Sequence, residues 1–395
     1  MTSVLAPNLS VDIIARAKRA GAVAASFAND VDVNARFPAE TVAALKSERL
    51  LSIMIPKELG GEGASAAQIC EVCAILGQNC ASSAMIFAMH QIKLSSLVSH
   101  GMEADWHRDF MRKISKDQLL LASATTEGGI GGDLRNSICA VVTESGNFTL
   151  TKDATVISYG SVADAILVTA RANPDAPSSD QVMVVALKGQ YTLEQTSVWN
   201  TLGMRGTCSE GFKFNCTAPV AQILPKPFAE IAAQSMLSAS HLFWGALWYG
   251  IASEAFNRAQ AFVKAAARRT PSVTPPGALR LSEAAVTLQT MRATLKEGVL
   301  RYESARKRPD DMSSIAFATA INNVKVAMSQ SMLEVIDQSL LICGIMGYKN
   351  DTPFSVGRQL RDAHSARLMI SNDRILLNTS NLLLMARADS SILGL

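Results

Sequence analysis

Ala124-Thr125-Thr126-Glu127-Gly128-Gly129-Ile130-Gly131-Gly132-Asp133 is a glycine-rich turn that follows a short apolar run, Leu119-Leu120-Leu121-Ala122. Glycine supplies backbone conformations closed to other residues, and hydroxyls at Ser123, Thr125 and Thr126 flank the turn. Its backbone N–H groups can bond carbonyls, an imide or a phosphate oxygen. A plain surface turn is the other reading of the same residues.

Working outward, more short β-rich runs follow, including Ala140-Val141-Val142, Phe148-Thr149-Leu150-Thr151, Ala165-Ile166-Leu167-Val168-Thr169 and Val182-Met183-Val184-Val185-Ala186. Turn clusters such as Ser145-Gly146-Asn147 separate them, which predicts an antiparallel sheet or small barrel. On both sides the period changes. Spacings such as Ile69-Val72-Cys73-Ile75-Leu76 predict helices before the sheet, and helical stretches run Ile231–Arg269, Leu281–Lys307 and Ser313–Gly344 after it. The expected fold is α+β and multidomain: an N-terminal helical domain over 1–117, a central antiparallel β-domain over 118–226, and a C-terminal four-helix bundle over 227–395.

A chain of 395 residues with 48% hydrophobic content buries a sizeable core. Lys plus Arg number 37 against 34 Asp plus Glu, with no basic run interleaved with aromatics, so a nucleic-acid partner is not expected. A small, uncharged or anionic substrate fits better. The residues Met1 to Pro7 lack the pattern of a secretory leader, and no apolar run reaches membrane-spanning length, so a soluble, cytoplasmic protein is expected. Seven scattered cysteines fit buried thiols in a reducing compartment. Cys70 and Cys73 form a Cys-x-x-Cys pair inside a helical pattern without a second pair, so core packing is expected there and no metal.

Four segments in order resemble the acyl-CoA dehydrogenase superfamily. Ile55-Pro56-Lys57-Glu58-Leu59-Gly60-Gly61-Glu62-Gly63 resembles its Pro-x-x-x-Gly-Gly-x-Gly loop, and Thr125 to Asp133 its flavin loop. Leu202-Gly203-Met204-Arg205-Gly206-Thr207 resembles its Gly-Met-Arg-Gly-Thr segment. Gly344-Ile345-Met346-Gly347-Tyr348, with Pro353, Arg358, Arg361 and Asp362, completes the set. The resemblance implies a flavoprotein holding FAD, with FMN as the other possibility. It places Ser123, Thr125, Thr126, Gly131 and Gly132 at the flavin or substrate. Thr155-Val156-Ile157-Ser158-Tyr159 resembles the strand beside the flavin, with Ile157 along the ring and the Ser158 hydroxyl near N5. Arg268 and Thr270 resemble residues that reach the flavin of a neighbouring subunit, and Asn372 and Arg374 those near its adenosine half. A homodimer or homotetramer is therefore expected.

The family abstracts an α-proton with a Glu, and that Glu falls on Ile370 here. Some relatives carry it on a bundle helix instead, near Ser240, where Ser240-His241-Leu242-Phe243 offers no carboxylate. Asp373 is an acidic substitute, or a carboxylate complementing the first turn of the closing helix Ile375–Met385. His364 could act as a base, or belong to a polar network with Arg361, Asp362 and Arg367. His241 could touch a thioester arm, while His90 is expected to be packed. Gly132, Ser240, His241, Met369 and Ile370 are the candidate substrate contacts. Two activities follow from the resemblance: a flavin oxidoreductase acting on an acyl-CoA or carrier-protein thioester with an atypical base, or a flavin-dependent monooxygenase using reduced flavin and oxygen, which needs no α-proton base.

Overall fold

The computed structural model describes residues 11–385. Five helices come first: α1 (Val11–Val33), α2 (Ala39–Ser47), α3 (Ala66–Asn79), α4 (Ala81–His100) and α5 (Asp105–Asp117). In α1 the buried residues Ile13, Ala17, Ala20, Ala24, Ala28 and Val31 recur every three or four positions, so one face meets the core. A capping box opens α3: Ser65 Oγ accepts the Gln68 N–H, and the Gln68 side chain accepts the Ser65 N–H. The next orphan donor, Ala66 N–H, is taken by the Glu303 carboxylate at 2.6 Å.

Two sheets follow, built from β1 (Leu121–Ala124), β2 (Val142–Glu144), β3 (Asn147–Ala154), β4 (Ala165–Arg171), β5 (Gln181–Leu187), β6 (Tyr191–Ser197) and β7 (Gly211–Pro219). Their orders are β1-β4-β5 and β2-β3-β7-β6. The pairing is antiparallel except between β1 and β4, which run parallel. Strands β6 and β7 are not among the expected runs. In β7 the inward residues Phe212, Phe214, Cys216 and Ala218 alternate with outward ones, whereas β6 is largely exposed. The segment Val156–Tyr159 is not a strand. It leaves β3 as a turn whose Tyr159 is buried and whose Ile157 N–H bonds Glu210 O at 2.9 Å.

The remaining helices are α6 (Phe228–Ile231), α7 (Leu237–Arg269), α8 (Ala278–Ala305), α9 (Pro309–Met312), α10 (Ile315–Cys343), α11 (Ile345–Tyr348), α12 (Gly357–Ala363), α13 (Ser365–Leu368) and α14 (Asn372–Met385). A π-helical turn, Ala232–Met236, joins α6 to α7. Helix α10 packs on α7, α8 and α14, and α7 packs on α3. At that last seam Gly250 has no room for a side chain, because a Cβ would stand 2.2 Å from Ala74 O. The order helices, sheets, helices is the expected one. No described helix is long and apolar enough to cross a membrane.

Candidate active site

A cavity of about 710 Å³ lies where α4, the β1 end, the Gly203 loop, α7 and residues 361–374 meet. Its position follows from two backbone contacts between distant segments. Gly203 sits so close to the next wall that a Cβ would be 2.3 Å from Arg361 O. Beside it, Asp362 accepts the Met204 N–H at 2.6 Å. Burial pushes that carboxyl up to about 6, against the pull of the Met204 bond. Arg361 in turn pairs with Asp32 on α1.

The glycine-rich turn forms one wall. Gly131 and Gly132 have φ of +58° and +78°, conformations that L side chains avoid. A Cβ at Gly132 would also meet Arg374 Nη1 at 2.7 Å, so the lack of a side chain there makes room for a guanidinium, which donates to Gly131 O. Thr126 gives its hydroxyl proton to Val156 O at 3.0 Å and ties the turn to the next segment. Behind the turn, the buried Glu127 carboxylate takes Ser137 Oγ–H at 2.8 Å, Cys139 N–H at 2.6 Å and Lys152 Nζ at 3.3 Å.

A chain of hydroxyls faces the turn. Ser158 Oγ lies 2.7 Å from Ser209 Oγ, which lies 2.8 Å from Thr207 Oγ1, and Thr207 donates to Met204 O at 2.9 Å. A carbonyl accepts only, and each hydroxyl has one proton. The assignment that fills all three bonds therefore has Thr207 donating to Met204, Ser209 to Thr207, and Ser158 to Ser209. Ser158 is left with lone pairs as its free valence.

Ile370 lines the cavity with φ +48°, a left-handed conformation unusual for a β-branched residue. Lys325 Nζ holds the Ile370 carbonyl at 2.6 Å and Asn372 Oδ1 at 2.6 Å, and Asn372 also bonds Ser329. These charge-assisted bonds offset backbone strain of about 1–3 kcal/mol.

Of the candidate site residues named from the sequence, the cavity brings together Ser123, Thr125, Thr126, Gly131, Gly132, Ser158, Ser240, His364, Met369, Ile370 and Arg374. It does not bring in the rest. Ile157 is buried behind the wall, and Asn372 is committed to Lys325 and Ser329. Asp373 is exposed in the first turn of α14, the placement of a dipole-complementing residue. His241 is buried against Ile321 O at 3.3 Å and driven down to about 4 by burial and by Lys325. Arg268 and Thr270 stand exposed at the far end of α7. His90 is packed: Nε2 bonds Leu51 O and Nδ1 accepts the Leu121 N–H. Cys70 and Cys73 are buried in α3, where burial pushes both thiols up.

The sequence reading missed Lys93, Trp199 and Ser209 and named Thr207 only as part of a family-like segment; all four line the cavity. The residues present suit a planar, polar-edged ring: apolar side chains such as Met89, Leu134 and Val156 on the walls, with amides and hydroxyls at the edge.

Fold and cavity together define an oxidoreductase scaffold of helices around a flavin-type site. Sequence profiles of the acyl-CoA dehydrogenase N-terminal and C-terminal domains match residues 17–115 and 231–380, and the chain belongs to the acyl-CoA dehydrogenase family. Membership makes it a flavoprotein and an oxidoreductase. Among its relatives, a cyclohex-1-ene-1-carbonyl-CoA dehydrogenase of Syntrophus aciditrophicus is 24% identical over 88% of this chain and 82% of its own length. Among solved structures, FMN-bound TdsC of Paenibacillus sp. A11-2 superposes with a TM-score of 0.83 at 18% identity, covering 97% of this chain and 99% of that one. Butyryl-CoA dehydrogenase of Megasphaera elsdenii gives 0.79 at 18%, covering 96% and 100%.

Proposed function

We propose that the protein is a flavin-dependent monooxygenase on the acyl-CoA dehydrogenase fold, with FMN or FAD in the cavity. One observation carries this reading: among the described residues lining the cavity there is no Asp or Glu, and Ile370 and Ser240 stand at the two positions where the family's base would be. Removing the α-proton of a thioester requires a positioned base. Oxygen insertion does not. A bound reduced flavin supplies two electrons and two protons to oxygen, so that one oxygen atom enters the substrate and the other leaves as water.

The chain's own residues serve that reaction in three ways. Met85, Met89, Ile92 and Trp244 give the substrate an apolar, water-poor bed. Ser158, whose proton is committed to Ser209, offers an acceptor to an N–H of the ring. Arg374, anchored on Gly131 O, closes the turn from outside. TdsC, described as a dibenzothiophene monooxygenase and also solved with indole, supplies first trial substrates of apolar aromatic character.

A second reading, an acyl-thioester oxidoreductase, is favoured by the relatives named for acyl-CoA dehydrogenation, one of which aligns over 88% of the chain. The two separate in one experiment on wild type and Ile370→Glu: anaerobic flavin bleaching by saturated acyl-CoA, and oxygen-dependent product formation with reduced flavin and indole or dibenzothiophene. The monooxygenase reading expects no bleaching in wild type and oxygenated product that Ile370→Glu suppresses. Rapid bleaching of wild type by acyl-CoA, without oxygenated product, overturns it.

A further inference from the structure

Lys93 is a buried cation without a counterion. It lies on α4 at 4% exposure, lines the cavity, and donates to Met236 Sδ at 3.1 Å. A thioether is a weak acceptor, and an ammonium carries three N–H bonds, so most of its capacity is unmet. Other buried lysines are matched: Lys152 has Glu127 and Thr169 O, and Lys325 has Ile370 O and Asn372. The cations at the other side of the cavity are engaged as well, Arg361 by Asp32 and Arg374 by Gly131 O. No described salt bridge reaches Lys93, and burial alone brings its ammonium down to about 7. An uncompensated buried amine is costly to keep, and among the described residues lining the cavity no Asp or Glu offers it a charge.

We propose that Lys93 receives a carboxylate of the substrate, so that the molecule taken into the cavity is an organic acid anion whose apolar remainder lies between α4 and α7. Met236, the last residue of the π-helical turn that packs on α4, places the receiving end just before the start of α7. The inference rests on the cavity being the substrate site of the proposed enzyme. It does not depend on which oxidation takes place there.

The test uses flavin-loaded full-length protein and carboxylic acids paired with their methyl esters: benzoate, phenylacetate, hexanoate and two indole carboxylates. Isothermal titration in buffers of different ionisation enthalpy reads affinity and proton uptake together. At least one acid is expected to bind about ten- to a hundred-fold more tightly than its ester, the gain of a charge-assisted bond in a dry site. Binding at pH 8 is expected to take up close to one proton, falling toward none at pH 6, because the anion recharges the buried amine. Lys93→Met, which keeps an unbranched side chain one atom shorter, is expected to abolish both the preference and the uptake. Lys93→Arg is expected to keep the preference without the uptake. Esters that match their acids, a preference that survives Lys93→Met, or no binding by any acid overturns the proposal. Flavin absorbance in the same samples reports separately on the cofactor site, so failure of the function reading shows there while the acid-to-ester ratio remains readable.

Discussion

Asp362 and Met204, 158 positions apart, are joined by one hydrogen bond of 2.6 Å from a backbone N–H to a buried carboxylate. The bond fixes the Gly203 loop against α12 and so sets the width of the cavity between them. Replacing Asp362 by Leu leaves the Met204 amide buried and unpaired. A loss of about 1–3 kcal/mol is expected, read by urea denaturation, with Asp362→Asn, whose amide oxygen still accepts, keeping most of the wild-type stability. Equal losses for the two variants would show that the acceptor is irrelevant.

Acid stability is expected to follow three buried histidines. Burial holds His90, His107 and His241 down to about 4, against an ordinary 6.5. Groups whose folded pKa is depressed stabilise the fold above the ordinary value and lose that contribution as pH falls through the lower one. Stability should therefore fall between pH 6.5 and 4, by roughly 3 kcal/mol per histidine at most. Asp362 acts with the opposite sign: raised from 3.8 to about 6, its contribution is full below about pH 4 and is lost as pH rises through 6. A denaturation free energy that is flat from pH 7 to 4.5 would refute the dominance of the histidines.

Lys152 and Glu127 brace the glycine-rich turn from behind, both fully or almost fully buried. Lys152→Met strands a buried carboxylate. We expect a destabilisation of about 3–5 kcal/mol and weakened flavin uptake, part of the stability returning in the double variant with Glu127→Gln. Additive losses in that double variant would mean the two residues act independently.

Ser158 has its proton spoken for by Ser209. Reduced flavin presents an N–H at N5 and oxidised flavin a lone pair there, so Ser158 should favour the reduced ring. Anaerobic titration is expected to show Ser158→Ala losing about three- to tenfold in affinity for reduced flavin and less for oxidised. Equal losses for both redox states would leave the hydroxyl chain without a directional role.

Assembly into a homodimer or homotetramer is expected from the apolar residues left exposed along α14 and α8. Leu377, Leu384 and Met385 on α14 and Leu279 and Val286 on α8 are each more than half exposed. Light scattering should find an oligomer in wild type and a smaller species in Leu377→Arg with Leu384→Arg. A wild-type monomer at micromolar concentration refutes the expectation, and with it a role for Arg268 and Thr270 at a neighbour's flavin.

Residues that act through local backbone could be read ahead of the structure. The glycines of residues 128–132 announced a turn, and the periodicities of α7 and α10 announced long helices. The loss of a carboxylate at 370 was equally plain, since it depends on one side chain. Strand β6 escaped because its exposed residues carry little apolar alternation, and β1 pairs in parallel for reasons of topology that no local pattern records. Lys93 escaped because a lysine among helical apolar residues looks like a surface position until the packing of α4 turns it inward. Ser209 and Thr207 matter through a three-bond chain closed in space.

The pairings of Asp32 with Arg361, Met204 with Asp362 and Ala66 with Glu303 also govern the order in which the molecule can be made. Each joins an earlier segment to one synthesised between 158 and 329 residues later, so such contacts close slowly and late. Until residues 361–374 emerge, their side of the cavity stands open and the glycine-rich turn lacks Arg374. Completion of the cavity wall is the event that dries it. A nascent chain stalled before Arg361 should therefore expose the apolar bed to chaperones, and flavin should be taken up only after the last wall has docked.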